Sequence, residues 1–413
     1  MAANEASHPP TAIPIPRKRS HPCAPPEEYA TLRAEQPVAR LALADGSEGW
    51  LLSRYDDVCT LLTDPRFSAK DRVVSAAVRA LPAKFAARLG NQQSLLNLDP
   101  PEHTRLRRLV AGQFSVRRMR QLAPRIRQIV TGHLDRLAVA GPPADLVPTF
   151  AQPVPLLVMC ELLGVPEEDR AEFQDRSMMP QRLGADLVAV MRAADDMYDY
   201  MRELAVWRRA EPGDDVLSEL ADPANKLTDH ELASLGVTLL IAGVDTTANM
   251  IGLGCYQLLA EPAGWADLVA AAEETPGDAE SGLTESAVEE LLRYLSIVQF
   301  GLNRWAIADI EIGGQLIRAG EMVFGVLSAA NWDPDRFSEP DRFDLHRGRT
   351  AHLAFGYGIH QCVGQQLARL ELQVVFTELP RRFPSLRLAV AADQVPMRQD
   401  MVIYGVHGLP VTW

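Results

Sequence analysis

Phe355 to Gly364 reads FGYGIHQCVG and sets one cysteine, Cys362, among three glycines, an aromatic and a histidine. A long helical pattern follows directly. A thiolate at a glycine-rich turn before a helix is a candidate metal ligand, because backbone N–H groups can turn toward the sulfur and stabilise its charge. Gly356 and Gly358 suit a bent hairpin that other residues would strain, and Gly364 lets a flat group approach the next helix. Phe355 can shield the sulfur on one side. The bland alternative is that a lone cysteine is a small buried hydrophobe. Zinc fits poorly, since only His352 and His360 lie nearby and a structural zinc site takes four nitrogen or sulfur ligands.

A second group that could do chemistry is Asp245-Thr246-Thr247, set into an apolar stretch. Thr228 to Glu231 carries a capping-box pattern, and the helix it starts can run to Ala260, roughly 48 Å at 1.5 Å per residue. Leu235 to Val244 is apolar all round and is expected to be buried. Structurally, Thr246 could simply bond back to the carbonyl of Ala242 while Asp245 finds a buried salt bridge. Chemically, a hydroxyl beside a carboxylate holds and replenishes water, and so passes protons. The back-bond is also expected to open a local groove or bulge. Farther on, Glu290 and Arg293 stand three apart on one helical face.

The chain that must position these groups has 413 residues, 41 basic against 54 acidic, for a net charge of −13. That balance argues against a general nucleic-acid binder. Five cysteines, Cys23, Cys59, Cys160, Cys255 and Cys362, show no pairing pattern, as expected of a reducing cytoplasm. No apolar run reaches the ~18 residues of a membrane span, and residues 1–24 read as an extended, proline-rich arm. Residues 103–134 hold eight arginines and no acidic residue. They form either a solvated face or a docking patch for an acidic partner, with Arg105, Arg108 and Arg369 as its candidate members.

The pattern predicts a helix over residues 26–36 and a hairpin of strands 38–43 and 49–53 turning at Asp45-Gly46. A helix over 56–62 follows, then a loop with a helical insert over 68–97. Residues 101–288 read as almost wholly helical. Strand signals return at 305–317, 322–327, 386–390 and 401–406. The expected architecture is mainly α, one domain over 25–413, with a small β subdomain drawn from both ends of the chain.

The string Phe355–Gly364 resembles the haem-binding signature of the cytochrome P-450 family, Phe-Gly-x-Gly-x-His-x-Cys-x-Gly, at every fixed position. Ala242 to Thr247 resembles the family's oxygen-activation segment, and Glu290 with Arg293 its Glu-x-x-Arg pair. The resemblance spans about Pro25 to Trp413 and is closest to soluble actinobacterial members from specialised metabolism. Trp332 departs from it, standing where such proteins usually carry arginine.

The resemblance implies a haem b between the long helix and the cysteine loop with its following helix, ligated by Cys362 and bedded by Phe355, Gly356 and Gly364. Propionate donors would be His103, Arg107, Arg304 and His360. Asp245 and Thr246 would supply protons, Gly243 would leave room for dioxygen, and Glu290, Arg293 and Arg342 would hold the frame. The pocket would draw on the 68–97 loop, the region from Phe173 to Tyr200, and Leu239, Leu240, Gly243 and Val244. Val298, Phe300, Met401 and Val402 would complete it. The implied activity is oxygen-dependent hydroxylation or epoxidation of a medium-to-large hydrophobic molecule such as a polyketide, macrolide or terpenoid. The chain shows no nucleotide- or flavin-binding motif, so electrons would come from NAD(P)H through a separate ferredoxin and its reductase. The rival readings are a peroxide-using or phenol-coupling enzyme and a non-catalytic haem sensor or carrier.

Overall fold

A computed structural model of the chain describes residues 12–43, 46–70, 94–171, 173, 187–275, 282–399 and 401–413. The chain folds into two compact units. One comprises Met1–Val73, Arg293–Phe343 and Ala351–Gln361, the other Val74–Leu292, Asp344–Thr350 and Cys362–Trp413.

The first unit is built on a six-stranded sheet. Val38–Ala42 pairs antiparallel with Glu48–Leu52, Val38 opposite Leu52, as the hairpin pattern predicts. Gly46 takes the positive φ of 83° that its turn requires, while Asp45 lies outside the described residues. Met322–Gly325 joins parallel to the hairpin, followed by Leu302–Ala306 and Phe67–Ser68. The arm is less free than its composition suggests. Ile13–Pro14 adds an edge strand parallel to Val38–Ala42, a place where proline costs no ladder bond. Beneath the sheet, helix Tyr55–Thr63 buries Val58, Leu61 and Leu62 with Trp50, Leu52 and Val323. Each such side chain contributes roughly 1.5–3 kcal/mol.

Among the described residues the second unit is mainly helical, as the pattern over 101–288 predicts, with short 3-10 turns, a two-residue strand at Ala144–Asp145 and a wider π turn at Val147–Ala151. Its longest helix is Asp229–Ala260, and both halves of the Thr228–Glu231 capping box are formed. Helices Leu187–Ala210 and Pro153–Leu163 pack against it. By composition this helix could cross a membrane, but it is largely buried within the fold and serves as a core helix. Helix Gln365–Arg382 packs on Val116–Ala140 and on the long helix. Gly254 permits that approach, because a Cβ there would lie 2.7 Å from the Phe376 ring.

The strands near the C-terminus depart from expectation. Residues 401–406 form no strand; a single bridge joins Met397 to Val406. The strand is Pro410–Thr412, which pairs with Arg387–Leu388 and Ala144–Asp145 in the helical unit. The six-stranded sheet therefore takes nothing from the last thirty residues. Trp332 is well accommodated in the first unit: its ring lies 4.8 Å from that of Tyr294, and its indole N–H donates to the Tyr294 carbonyl at 3.0 Å.

Candidate active site

Cys362 lies just before helix Gln365–Arg382, with Gly364 at the helix cap. Burial pushes its thiol pKa up, while the Gly364 N–H and the charges of Arg107 and Arg369 pull it down. In turn, burial lowers the Arg107 pKa and the sulfur opposes that shift. Arg107 shares helix Glu102–Ala111 with His103, which is buried. A cysteine sulfur that meets an amide donor and a nearby guanidinium is a donor set that fits a thiolate-ligated haem.

In the first unit, the chain leading to the cysteine is bent by glycine. Gly356 and Gly358 have φ of 69° and 72°, and a Cβ on Gly358 would stand 2.5 Å from the Leu62 carbonyl oxygen. Only glycine fits there. The Phe355 ring packs 6.0 Å from that of His352. His360 ends a short 3-10 turn, and Arg304 is buried with Nη1 donating to the Asn303 carbonyl at 2.8 Å.

The structural frame differs in its partners from the expectation. Arg293 is fully buried, and its Nη1 donates to the carbonyls of Asn331 and Pro340, each at 2.9 Å. Asn331 Oδ1 then accepts the Leu353 N–H at 2.7 Å, which positions the chain entering the loop. The Arg342 carbonyl accepts from Arg293 Nη2 at 3.4 Å, and its guanidinium pairs with Glu339 at the surface. The Arg347 guanidinium pairs with Glu290 at 3.1 Å. Two arginines five apart in a loop are indistinguishable by spacing, so the sequence did not single out Arg347 as a partner of Glu290.

In the second unit, Thr246 Oγ1 donates to the Ala242 carbonyl at 2.6 Å, and the helix runs on without a bulge. Asp245 is ion-paired to Arg398 at 3.2 Å. Both arrangements are the ones the bland reading anticipated, and neither removes the carboxylate–hydroxyl pair. Gly243 is not open on the side a Cβ would occupy: Met159 Sδ would lie 2.6 Å away. The glycine thus serves close packing of helix Pro153–Leu163.

Burial varies along the stretch of the long helix that carries the expected pocket residues. Leu239, Leu240 and Val244 are buried, whereas Ile241 is 62 % exposed and Ala242 is exposed. The open stripe is Thr238, Ile241, Ala242 and Asp245, at the i, i+3, i+4, i+7 spacing of one helix face. Thr238, a polar residue at that spacing, was the overlooked signal. Val402 is exposed and Met401 half-buried. In the first unit, Val298 packs on the sheet core and Phe300 lies under the Arg17 guanidinium, 4.9 Å from its carbon. Residues 71–93 of the expected pocket loop, and residues 172 and 174–186 of the Phe173–Tyr200 region, lie outside those described.

Four of the eight arginines in residues 103–134 have ion pairs among the described residues. Arg105 binds Glu231, Arg118 binds Glu219, Arg125 binds Glu161 and Arg127 binds Glu378. Arg369 forms a two-pronged pair with buried Glu289, at 2.5 and 3.2 Å. Of the three expected docking residues, Arg108 is exposed and carries no ion pair among the described residues.

Residues 170–402 match the family description "Cytochrome P450". The chain belongs to the cytochrome P450 family. It is 47 % identical over 391 residues to cytochrome P450 105C1 of a Streptomyces species, covering 94 % of this chain and 95 % of that one. It is 42 % identical over 405 residues to the 20-oxo-5-O-mycaminosyltylactone 23-monooxygenase of Streptomyces fradiae, covering 97 % and 93 %. The crystal structure of CYP105P1 in complex with filipin I superposes with a TM-score of 0.86 at 44 % identity, covering 98 % and 99 %. This P450 is therefore an oxidoreductase of the monooxygenase class, mainly helical with small sheets, and haem iron is characteristic of its family.

Proposed function

We propose that this P450 binds haem b through Cys362 and hydroxylates or epoxidises a medium-to-large hydrophobic metabolite of the polyketide, macrolide or terpenoid kind. The observation that carries the reading is the Cys362 sulfur beside the Gly364 N–H and Arg107. When bound, the haem supplies reductive activation of dioxygen and transfer of one oxygen atom to the substrate. His103, Arg107, Arg304 and His360 are the propionate donors on this reading, as cationic or N–H donors suited to carboxylates. Phe355, Gly356 and Gly364 bed the ligand loop.

Thr246 and Asp245 hold the water and protons the reaction consumes. The hydroxyl accepts from water while donating to Ala242, and the carboxylate half-buried beside it replenishes the proton. Apolar exposed side chains, Ile241 and Val402 among them, suit a greasy substrate that excludes bulk water. Two relatives support the substrate class: one is named for a macrolide-type tylactone and one is seen with filipin I. Electrons come from NAD(P)H through a ferredoxin and its reductase in the cytoplasm, with Arg108 as the docking residue left unpaired by its own fold. The retained Asp245–Thr246 pair disfavours peroxide as the natural oxidant.

A screen of macrolides, polyketides and terpenoids against the ferric protein, read by the Soret shift, tests the substrate class. Turnover of the hit with labelled dioxygen must place the label in product. Label arriving only from water or peroxide sinks the monooxygenase assignment. Thr246→Ala should divert reductant to peroxide, and unchanged coupling in that variant removes the hydroxyl from the proton path.

A further inference from the structure

Asp245 does not stand alone on its helix. Arg398, 5 % exposed, places Nη1 3.2 Å from Asp245 Oδ1 and 2.9 Å from Asn249 Oδ1. Asn249, one turn on, donates Nδ2 to the same Asp245 Oδ1 at 3.0 Å and to the Asp245 carbonyl at 2.7 Å. Among the described residues, each hydrogen bond to this carboxylate ends on Oδ1. One oxygen is thus anchored by two donors, and Oδ2 is left to exchange protons.

The anchor is rooted in the C-terminal turn. The Arg398 N–H donates to the Gly405 carbonyl at 2.9 Å, and Met397 bridges Val406. Gly405 lies directly over Asn249; a Cβ on it would sit 2.0 Å from Asn249 Oδ1. Between these two ties the chain carries Met401 and exposed Val402. A buried, charge-assisted contact shared by three side chains holds orientation well, because losing any member strands another buried polar group.

We propose that Arg398 is a positioning residue for proton supply: with Asn249 it fixes Asp245 by Oδ1, keeps Oδ2 available, and ties that geometry to the turn carrying Met401 and Val402. This rests on the monooxygenase reading, in which Asp245 replenishes protons. A purely structural pair would hold the turn without affecting where reducing equivalents go.

The test compares wild type, Arg398→Gln, Arg398→Lys, Asp245→Asn and the Asp245→Asn/Arg398→Gln double variant as haem-loaded proteins. Each is driven by NAD(P)H with a surrogate ferredoxin and reductase in air, without organic substrate. Two outcomes balance: one NAD(P)H, one proton and dioxygen give peroxide, whereas two NAD(P)H, two protons and dioxygen give two waters. Arg398→Gln should lower water formation roughly tenfold, the size of one lost charged hydrogen bond, with peroxide making up the difference. Its remaining water formation should rise as pH falls, and Arg398→Lys should recover part of the loss.

Melting temperature is the second readout. Asp245→Asn strands the buried guanidinium, so the double variant should melt no lower than that single one. Wild-type partition in Arg398→Gln, with Asp245→Asn impaired, overturns the proposal. So does a double variant that melts lower by the sum of both single effects. If Asp245→Asn also partitions as wild type, the proton role of Asp245 itself fails. A normal reduced-CO band throughout shows that the thiolate reading stands apart from either result.

Discussion

Cys255 and Cys362 are the same residue in opposite circumstances. Cys255 lies wholly buried in the long helix, where burial alone pushes its thiol up to about 12. It is a small hydrophobe. Burial also pushes the Cys362 thiol up, but the Gly364 N–H, Arg107 and Arg369 act against it. The difference lies in what faces the sulfur: Cys255 is fully buried, whereas half-buried Cys362 meets an N–H and two guanidinium charges. A cysteine becomes a ligand when its surroundings stabilise the anion, and helix position or burial does not supply that.

The widest gap between the two cysteines should open in the paired substitutions Cys362→Ser and Cys255→Ser. The first should abolish the absorption band of the reduced CO complex that reports thiolate ligation, and the second should leave it unchanged. A retained band in Cys362→Ser would remove this sulfur as the ligand. The backbone share of the site is probed by Gly358→Ala, where positive φ and a 2.5 Å approach to the Leu62 carbonyl both oppose a side chain. Unfolding by urea should show a loss of about 2–4 kcal/mol, and wild-type stability would mean that the bend relaxes freely.

Arg107→Gln isolates the cationic contribution. Haem transfer to apomyoglobin should become about tenfold faster, as expected for loss of one charge-assisted hydrogen bond. An unaltered rate would leave Arg107 without a role at the cofactor. The smallest effect is expected outside the pocket. Arg108→Glu should weaken ferredoxin binding several-fold at low salt and little at high salt, while Arg105→Glu, already paired with Glu231, acts mainly on that local contact. Equal salt-dependent losses in binding titrations would mean that the ion pair does not withhold Arg105.

Cys362 itself was legible because its setting is written in consecutive residues. Gly356 and Gly358 fall where φ is positive, and the capping box marks the start of the long helix. The partners of Asp245 and Glu290 were not legible. Arg398 lies 153 residues from Asp245, and Arg347 sits 57 from Glu290, farther along the same loop as the expected Arg342. The ion pairs of Arg105 and Arg369 were not legible either, because their acids, Glu231 and Glu289, come from distant helices. The expected strand at 401–406 had suitable residues, yet its neighbours offered a ladder only to Pro410–Thr412.

By itself, the sequence determined the glycine-bent cysteine loop, the helix carrying Asp245 and Thr246, and the class of fold. Those depend on backbone conformation and hydrogen bonds reaching only a few residues along the chain. Tertiary structure alone decided which cation meets which carboxylate, which stripe of the long helix stays open, and what anchors Asp245. A side chain's partner is set by the contacts of packed elements far apart in sequence, and many pairings satisfy the same composition and spacing.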